Sequence, residues 1–287
     1  FESLLWSQVV QASVQLTQIL RQKDPVFQQI LNEARVGELS PNSYAMLETR
    51  KTMDWKRQEI KPTLLFVKNH DVSSINQSKL DKLPGKEHIF EAETTGAPED
   101  IRSDILQMLV EKIDKDASYE PRLALKVGAQ VMLLKQLMEE KDKDKDEDKD
   151  DEKNKKKKVK SPIHGLVNGS RGIVTGFDKD GYPRVKFVNG KEVTVQKEKW
   201  SSDSEKDGDG VTREQVPLRL AYALTIHKAQ GASLDSALID VGPSTFEYGQ
   251  AYVALSRVRS MESLYIFEIS PRAFRAHPAV KAFYATL

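Results

Sequence analysis

Two short runs of polar side chains, each set beside apolar neighbours, hold most of the chemistry available to this chain. The first is Thr225-Ile226-His227-Lys228-Ala229-Gln230-Gly231, and the second is Ser256-Arg257-Val258-Arg259. A hydroxyl, an imidazole, an ammonium and an amide so close together suit a ligand that presents oxygen acceptors, as a phosphodiester backbone does. Gly231 lets backbone approach such a ligand closely. Arg257 and Arg259 fall at the end of a helix expected over 246–258. They could complement the helix dipole or join surface ion pairs. One guanidinium could instead stabilise charge on a transferring phosphoryl group, because it is planar, always charged and bidentate. No partner set makes His227 a nucleophile's base, and the five histidines include no H-x-x-x-H pair for a metal.

A further arginine, Arg21, lies just before a well-punctuated helix. Asp24 suits the N-cap, Pro25 the first helical position and Gly37 the C-terminal stop. Val26, Phe27, Ile30, Leu31 and Ala34 fall on one face of it. Arg21 is therefore placed where a phosphate can meet a helix N-terminus, or it is an exposed arginine on a linker. The pattern G-x-x-x-x-G-K-[ST] does not occur. The Gly-Lys pairs Gly85-Lys86 and Gly190-Lys191 are each followed by Glu, so the chain lacks the usual phosphate cradle of a P-loop ATPase.

The elements that must position these groups alternate in type. Residues 63–67 read as a buried strand, Asn69-His70-Asp71 as a turn, and the residues after Asp71 as a helix that it caps. Strand, polar loop and helix in succession indicate an α/β fold with a mostly parallel sheet, in which ligands bind at the carboxyl ends of strands. That makes Asn69, His70 and Asn76 candidate contacts, although capping explains them equally well. From Leu123 to Gln215 short strands and tight turns suggest a small β-barrel inserted into the α/β domain. Its clearest signal is a two-residue hairpin at Asn189-Gly190. After Gln215 the α/β texture resumes, with strands at 236–241 and 263–267. The helix over 246–258 presents Tyr248, Tyr252 and Leu255 on one face, and a short helix closes the chain from Pro278. Whether 225–231 ends a strand or starts a helix is left open by its sequence.

Composition sets limits. The absence of cysteine excludes disulfides and thiolate chemistry from this chain. A net charge of +1 means that any nucleic-acid surface must be local. No apolar run approaches the ~18 residues of a membrane span, so no membrane role is expected. Residues 139–160 carry ten acidic residues and ten lysines, a tract too polar to fold alone and expected to be a disordered loop. Its 155–158 lysine run could serve as a nuclear-localisation signal or a nucleic-acid tether.

The ordered set of these segments resembles the Pif-type (petite-integration-frequency) family of superfamily-one 5′-to-3′ DNA helicases. LTIHKAQG and GQAYVALSRVRS resemble its motifs V and VI, and LTQILRQKD followed by LNEARVGEL resembles motif IV and its sequel. LALKVGAQVMLL and GLVNGSRGIVTGF resemble the start of its inserted barrel, and AHPAVKAFYATL resembles its C-terminal tail. Leu20 departs from the Phe that usually precedes Arg-Gln. The resemblance implies a second RecA-like domain at 1–122 and 216–287, interrupted at 123–215 by an SH3-like barrel. It implies that Arg21 and Arg257 act catalytically at the γ-phosphate of ATP, with Gln230 and Gly231 also on the nucleotide. Thr225, His227, Lys228 and Asn76 would touch single-stranded DNA. The first RecA-like domain, with the Walker A motif and the main Mg2+ ligands, would lie upstream in the same protein, so this chain alone is expected to be inactive. Duplex junctions as substrates, a monomeric state, a nuclear or mitochondrial location, and roles in repair, recombination and telomere maintenance are further expectations. Two alternatives are a non-catalytic nucleic-acid-binding module and the motor of a transposon-encoded helicase.

Overall fold

The computed structural model describes the chain except for Phe1, 15–18, 68, 98–99, 143–157, 164, 202–210 and Leu287. For Ser7, 69–71, 139–142 and 158–162 it describes the backbone alone. The chain divides into two compact units, one formed by Phe1–Ile75 with Tyr222–Leu287 and the other by Asn76–Ala221.

The first unit opens with α1 (Trp6–Val9), α2 (Pro25–Val36) and α3 (Pro41–Thr49), then β1 (Thr63–Phe66) and the start of α4 (Asn69–Asp81). Local sequence dictates α2 at both ends. The Asp24 carboxylate accepts the Val26 N–H at 2.9 Å, and Pro25 occupies the first turn. At the far end Gly37 adopts a left-handed φ of 71°, and its N–H donates to Ala34 O. Phe27, Ile30, Leu31 and Ala34 are buried, but Val26 is exposed, because it lies at the outer edge of the apolar stripe. A Cβ on Gly37 would stand 2.5 Å from the Ala276 backbone N. Gly37→Ala therefore meets both a left-handed backbone and a backbone clash, and thermal denaturation should show a loss of about 2 kcal/mol or more. α4 starts at Asn69, two residues before the expected cap, so Asp71 lies inside its first turn. The Asn69 and His70 side chains fall outside the described residues.

Asn76–Ala221 forms the second unit. It contains β2 (His88–Glu91), β3 (Glu93–Gly96), α5 (Ser103–Asp116), β4 (Arg122–Leu125), β5 (Gln130–Leu133), β6 (Met138–Asp142) and β7 (Lys158–Pro162). It continues through β8 (Arg171–Phe177), β9 (Pro183–Phe187), β10 (Glu192–Thr194), β11 (Glu198–Ser201), β12 (Thr212–Gln215) and β13 (Leu218–Leu220). Its strands pair antiparallel, in sheets ordered β10-β9-β8-β5-β13, β11-β12-β3, β2-β4 and β6-β7. Alternate residues of β9, Pro183, Val185 and Phe187, point inward. Val185 and Phe187 join Leu125, Val131, Leu133, Val174 and Leu218 in one apolar core.

Three expectations change here. The boundary expected at 122/123 falls instead at 75/76, because β2 pairs with β4 and β3 with β12, drawing 88–96 into the inserted unit. Gln215, fully buried, secures the same segment by donating its amide to Phe90 O and Glu120 O. The charged tract is not loop throughout. Residues 139–142 pair with 158–161 as the ladder of β6 and β7, with Glu140 opposite Lys160 and Asp142 opposite Lys158, while 143–157 lie outside the described residues. The turn at Asn189-Gly190 joins its strands through three residues rather than two: Phe187 N–H donates to Lys191 O, and Gly190 N–H to Phe187 O.

The chain returns to the first unit with β14 (Ala223–Thr225), β15 (Ala237–Val241), α6 (Gln250–Leu255), β16 (Leu264–Ile269) and α7 (Pro278–Tyr284). The sheet order is β14-β1-β15-β16, and every pairing is parallel. Leu65, Leu224, Ile239 and Ile266 are buried along it, as expected of strands covered on both faces. Helix α6 is shorter than the expected 246–258. Gly249 precedes it with a left-handed φ of 72°, so the apolar spacing of Phe246 and Tyr248 does not extend the helix, and both side chains are exposed. Among the described residues no helix is long and apolar enough to cross a membrane.

Candidate nucleotide and nucleic-acid site

Thr225 ends β14 at the carboxyl edge of the parallel sheet, opposite Phe66 of β1, and the next N–H, of Ile226, donates to Phe66 O at 2.9 Å. The open question over 225–231 is thereby answered: the strand stops and a compact turn follows. The Thr225 hydroxyl oxygen accepts Lys228 N–H at 3.2 Å, and its carbonyl accepts Ala229 N–H at 3.0 Å. Gln230 N–H donates to His227 O. Thr225 is buried, so its hydroxyl shapes this turn. His227, Lys228, Gln230 and Gly231 are exposed on it. Asn76, half-buried on α4, falls just past the division, in the inserted unit.

Arg257 follows α6 and is half-buried. Its Nε donates to Val253 O at 2.8 Å and one terminal nitrogen to Ser256 Oγ at 2.8 Å. The other reaches Ala229 O at 3.4 Å. The first bond satisfies a carbonyl of the last helical turn, so the helix-end reading of this arginine holds in part. The third joins Arg257 to the turn that follows Thr225. A backbone bond from Leu234 N–H to Arg257 O and a parallel bridge between Leu234 and Val258 complete the connection.

Arg21, 236 residues earlier in sequence, reaches the same place. Its guanidinium donates to Ser256 O at 2.9 Å. Two cations are therefore anchored on one residue, Arg21 on its carbonyl and Arg257 on its hydroxyl. Burial first, and then the Arg21 charge, pull Arg257 below the usual arginine value. An arginine stays protonated regardless. A pair of like charges under partial desolvation is a place where an anion relieves both strains, and the donor set fits phosphoryl oxygens. Arg259 is exposed and does not join this pair. It lines an open cleft of about 730 Å³ with Arg21, Lys23 and Ser233. Among the described residues no group of three or more His, Asp or Glu side chains could hold a metal ion.

Sequence reasoning gave Gln22 and Ser256 no role. Ser256 gathers the two arginines, and Gln22, 3% exposed, donates to Ser256 O and Val258 O. The signal available was adjacency: each is the immediate neighbour of a flagged arginine.

The geometry defines an α/β protein with a parallel sheet, whose carboxyl edge carries a polar turn bonded to a clustered arginine pair. No protein-family model matches the chain. The human ATP-dependent DNA helicase PIF1 is 36% identical over 289 residues, covering 100% of this chain and 40% of the human protein. The PIF1 helicase of Emericella nidulans is 31% identical over the whole chain, which covers 41% of that protein. Among solved structures, Pif1 helicase from Candida albicans aligns with a TM-score of 0.67 at 29% identity, over 100% of this chain and 63% of that one. Bacteroides sp Pif1 in complex with ADP-AlF4 aligns with a TM-score of 0.72 at 26% identity, over 99% and 58%. The chain is a homologue of the Pif1 helicases along its full length, matching their C-terminal part. It spans about two fifths of the length of these curated relatives.

Proposed function

We propose that this chain is the second lobe of an ATP-dependent 5′-to-3′ DNA helicase. In this reading the parallel-sheet unit is RecA-like and the antiparallel unit is an SH3-like barrel inserted into it. The observation that carries the reading is the arginine pair on Ser256, bonded to the turn after Thr225. Arg21 and Arg257 would meet the terminal phosphate of ATP bound mainly by an upstream lobe, which would also hold Mg2+. Their part is to place fixed positive charge where negative charge develops on transferring oxygens. Gln230 and Gly231 would face the same nucleotide. His227 and Lys228 would contact a single-stranded DNA backbone. One turn thus has Ala229 O on the arginine and Lys228 exposed beside it, which puts both proposed contacts on one segment. Relatives support the reading: they are named ATP-dependent DNA helicases, and one Bacteroides Pif1 structure is bound to ssDNA.

The DNA half is tested by binding. In the full-length protein, Lys228→Ala combined with His227→Ala should weaken single-stranded DNA binding about tenfold and reduce the log–log salt slope by about 0.7 for each phosphate no longer neutralised. Unchanged affinity and slope, with binding abolished instead by deleting the inserted unit, would favour a nucleic-acid-binding module without a motor.

A further inference from the structure

Gln22 is buried in a segment without regular structure, an expensive place for a primary amide unless its hydrogen bonds are made. Its Nε2 donates to two carbonyls of the arginine loop, Ser256 O at 3.2 Å and Val258 O at 2.8 Å. Its own backbone carbonyl accepts Gln28 Nε2 at 2.6 Å, and the same Gln28 amide reaches Ile19 O at 3.2 Å. Residues 19–22 are therefore held from both sides, by α2 through Gln28 and by the 256–258 loop through Gln22.

We propose that Gln22 is a positioning residue that fixes Arg21 relative to Arg257, with Ser256 as the shared anchor. The inference rests on the reading that these two arginines face a phosphoryl group. Arg21 is an exposed side chain whose bond to Ser256 O must hold against repulsion from Arg257. A long side chain on a loose linker would lose that contest much of the time, since ordering it costs entropy. Fixing its backbone one residue away removes most of the freedom. The amide fork also sets register, because Ser256 O and Val258 O lie two residues apart in one loop and slippage by one residue would lose both bonds. An apolar residue of the same size would fill the space without specifying the register. Asn would be too short to reach both carbonyls.

The test is steady-state ATP hydrolysis by the full-length protein with single-stranded DNA present, read as kcat and KM separately. Gln22→Met keeps length and bulk but removes both donors. It should lower kcat by about tenfold to a hundredfold, the penalty of a misplaced catalytic group, while the KM for ATP stays within about twofold. Gln28→Met loosens the same segment from a half-buried position and should give a weaker effect of the same kind, which keeps the test valid if Gln22→Met folds poorly. On an Arg21→Ala background, Gln22→Met should cost no more than about a further twofold, because a positioning residue has nothing left to position. A Gln22→Met protein with a lowered Tm but wild-type kcat below its melting range would overturn the proposal, and so would a full multiplicative loss on the Arg21→Ala background. Wild-type kcat in Arg21→Ala and Arg257→Ala would remove the phosphate reading itself, an outcome distinguishable from failure at Gln22 alone.

Discussion

Alanine in place of Arg257 is expected to lower the kcat of ATP hydrolysis by about 10³-fold or more in the full-length protein while leaving nucleotide affinity nearly unchanged. A loss of that size corresponds to about 4 kcal/mol of transition-state stabilisation. Arg257 can supply it because its position is fixed before any ligand arrives. Val253 O and Ser256 Oγ hold two edges of the guanidinium at 2.8 Å. Among the described residues these bonds and the longer one to Ala229 O engage three of the five N–H groups an arginine carries, so donors remain for phosphoryl oxygens. The structural cost is separable. Losing the bond to the end of α6 removes roughly 1 kcal/mol of stability, a small shift in Tm beside a thousandfold loss of rate. Arg257→Lys should recover little, because one ammonium cannot span Val253 O and Ser256 Oγ in the same fork. Hydrolysis rates paired with equilibrium binding of a fluorescent nucleotide decide the matter, and wild-type turnover in Arg257→Ala would take Arg257 out of the reaction.

Where structure is local, the sequence was legible. Asp24, Pro25 and Gly37 mark both ends of α2 because caps and stops depend on neighbours within a few residues. β1, β15 and β16 are short apolar runs, and a parallel sheet needs no more signal than that. The site was half legible. Arg21 and Arg257 could each be flagged, but nothing in their spacing says that they share Ser256, since 236 residues separate them and a whole unit intervenes. Gln22 is an ordinary polar residue until the carbonyls of Ser256 and Val258 are known. Thr225 was assigned by type to a ligand, and type alone did not show that its hydroxyl oxygen also accepts Lys228 N–H within its own turn. The domain boundary failed for a related reason: pairing of β3 with β12 spans more than a hundred residues and leaves no local mark. The α6 expectation failed because helical spacing through Tyr248 carries no record of Gly249 turning left-handed.

That same long-range pairing underlies the second large effect, at Asp114 of the inserted unit. The carboxylate receives Arg213 in two parallel bonds, Nε to Oδ1 at 3.1 Å and a terminal nitrogen to Oδ2 at 3.0 Å. Thr94 Oγ1 accepts from the remaining arm of Arg213 at 3.0 Å, so β3, α5 and β12 meet at one guanidinium. The Tyr119 hydroxyl donates to Asp114 Oδ1. Burial first, and then that bond, push the phenol up to about 12. Trp200 of β11 packs edge-on against Tyr119 with centroids 4.7 Å apart. Arg213 and Asp114 are only 10% and 20% exposed as side chains, so solvent screens neither charge well. Asp114→Asn would leave a buried guanidinium without its counter-charge, at a cost of about 3 kcal/mol. For a unit of this size the Tm should fall by roughly 6–12 °C. Asp114→Leu combined with Arg213→Met and Tyr119→Phe removes both charges and the hydroxyl that would lose its acceptor, and should recover most of that loss, because the penalty comes from the orphaned ion rather than from the missing attraction. Arg21, Gln22, Ser256 and Arg257 all belong to the other unit. Below the melting range of Asp114→Asn, ATP turnover should therefore match wild type. A Tm loss equivalent to less than about 1 kcal/mol would mean that the pair behaves as a solvated surface bridge, and the burial argument for this network would fail.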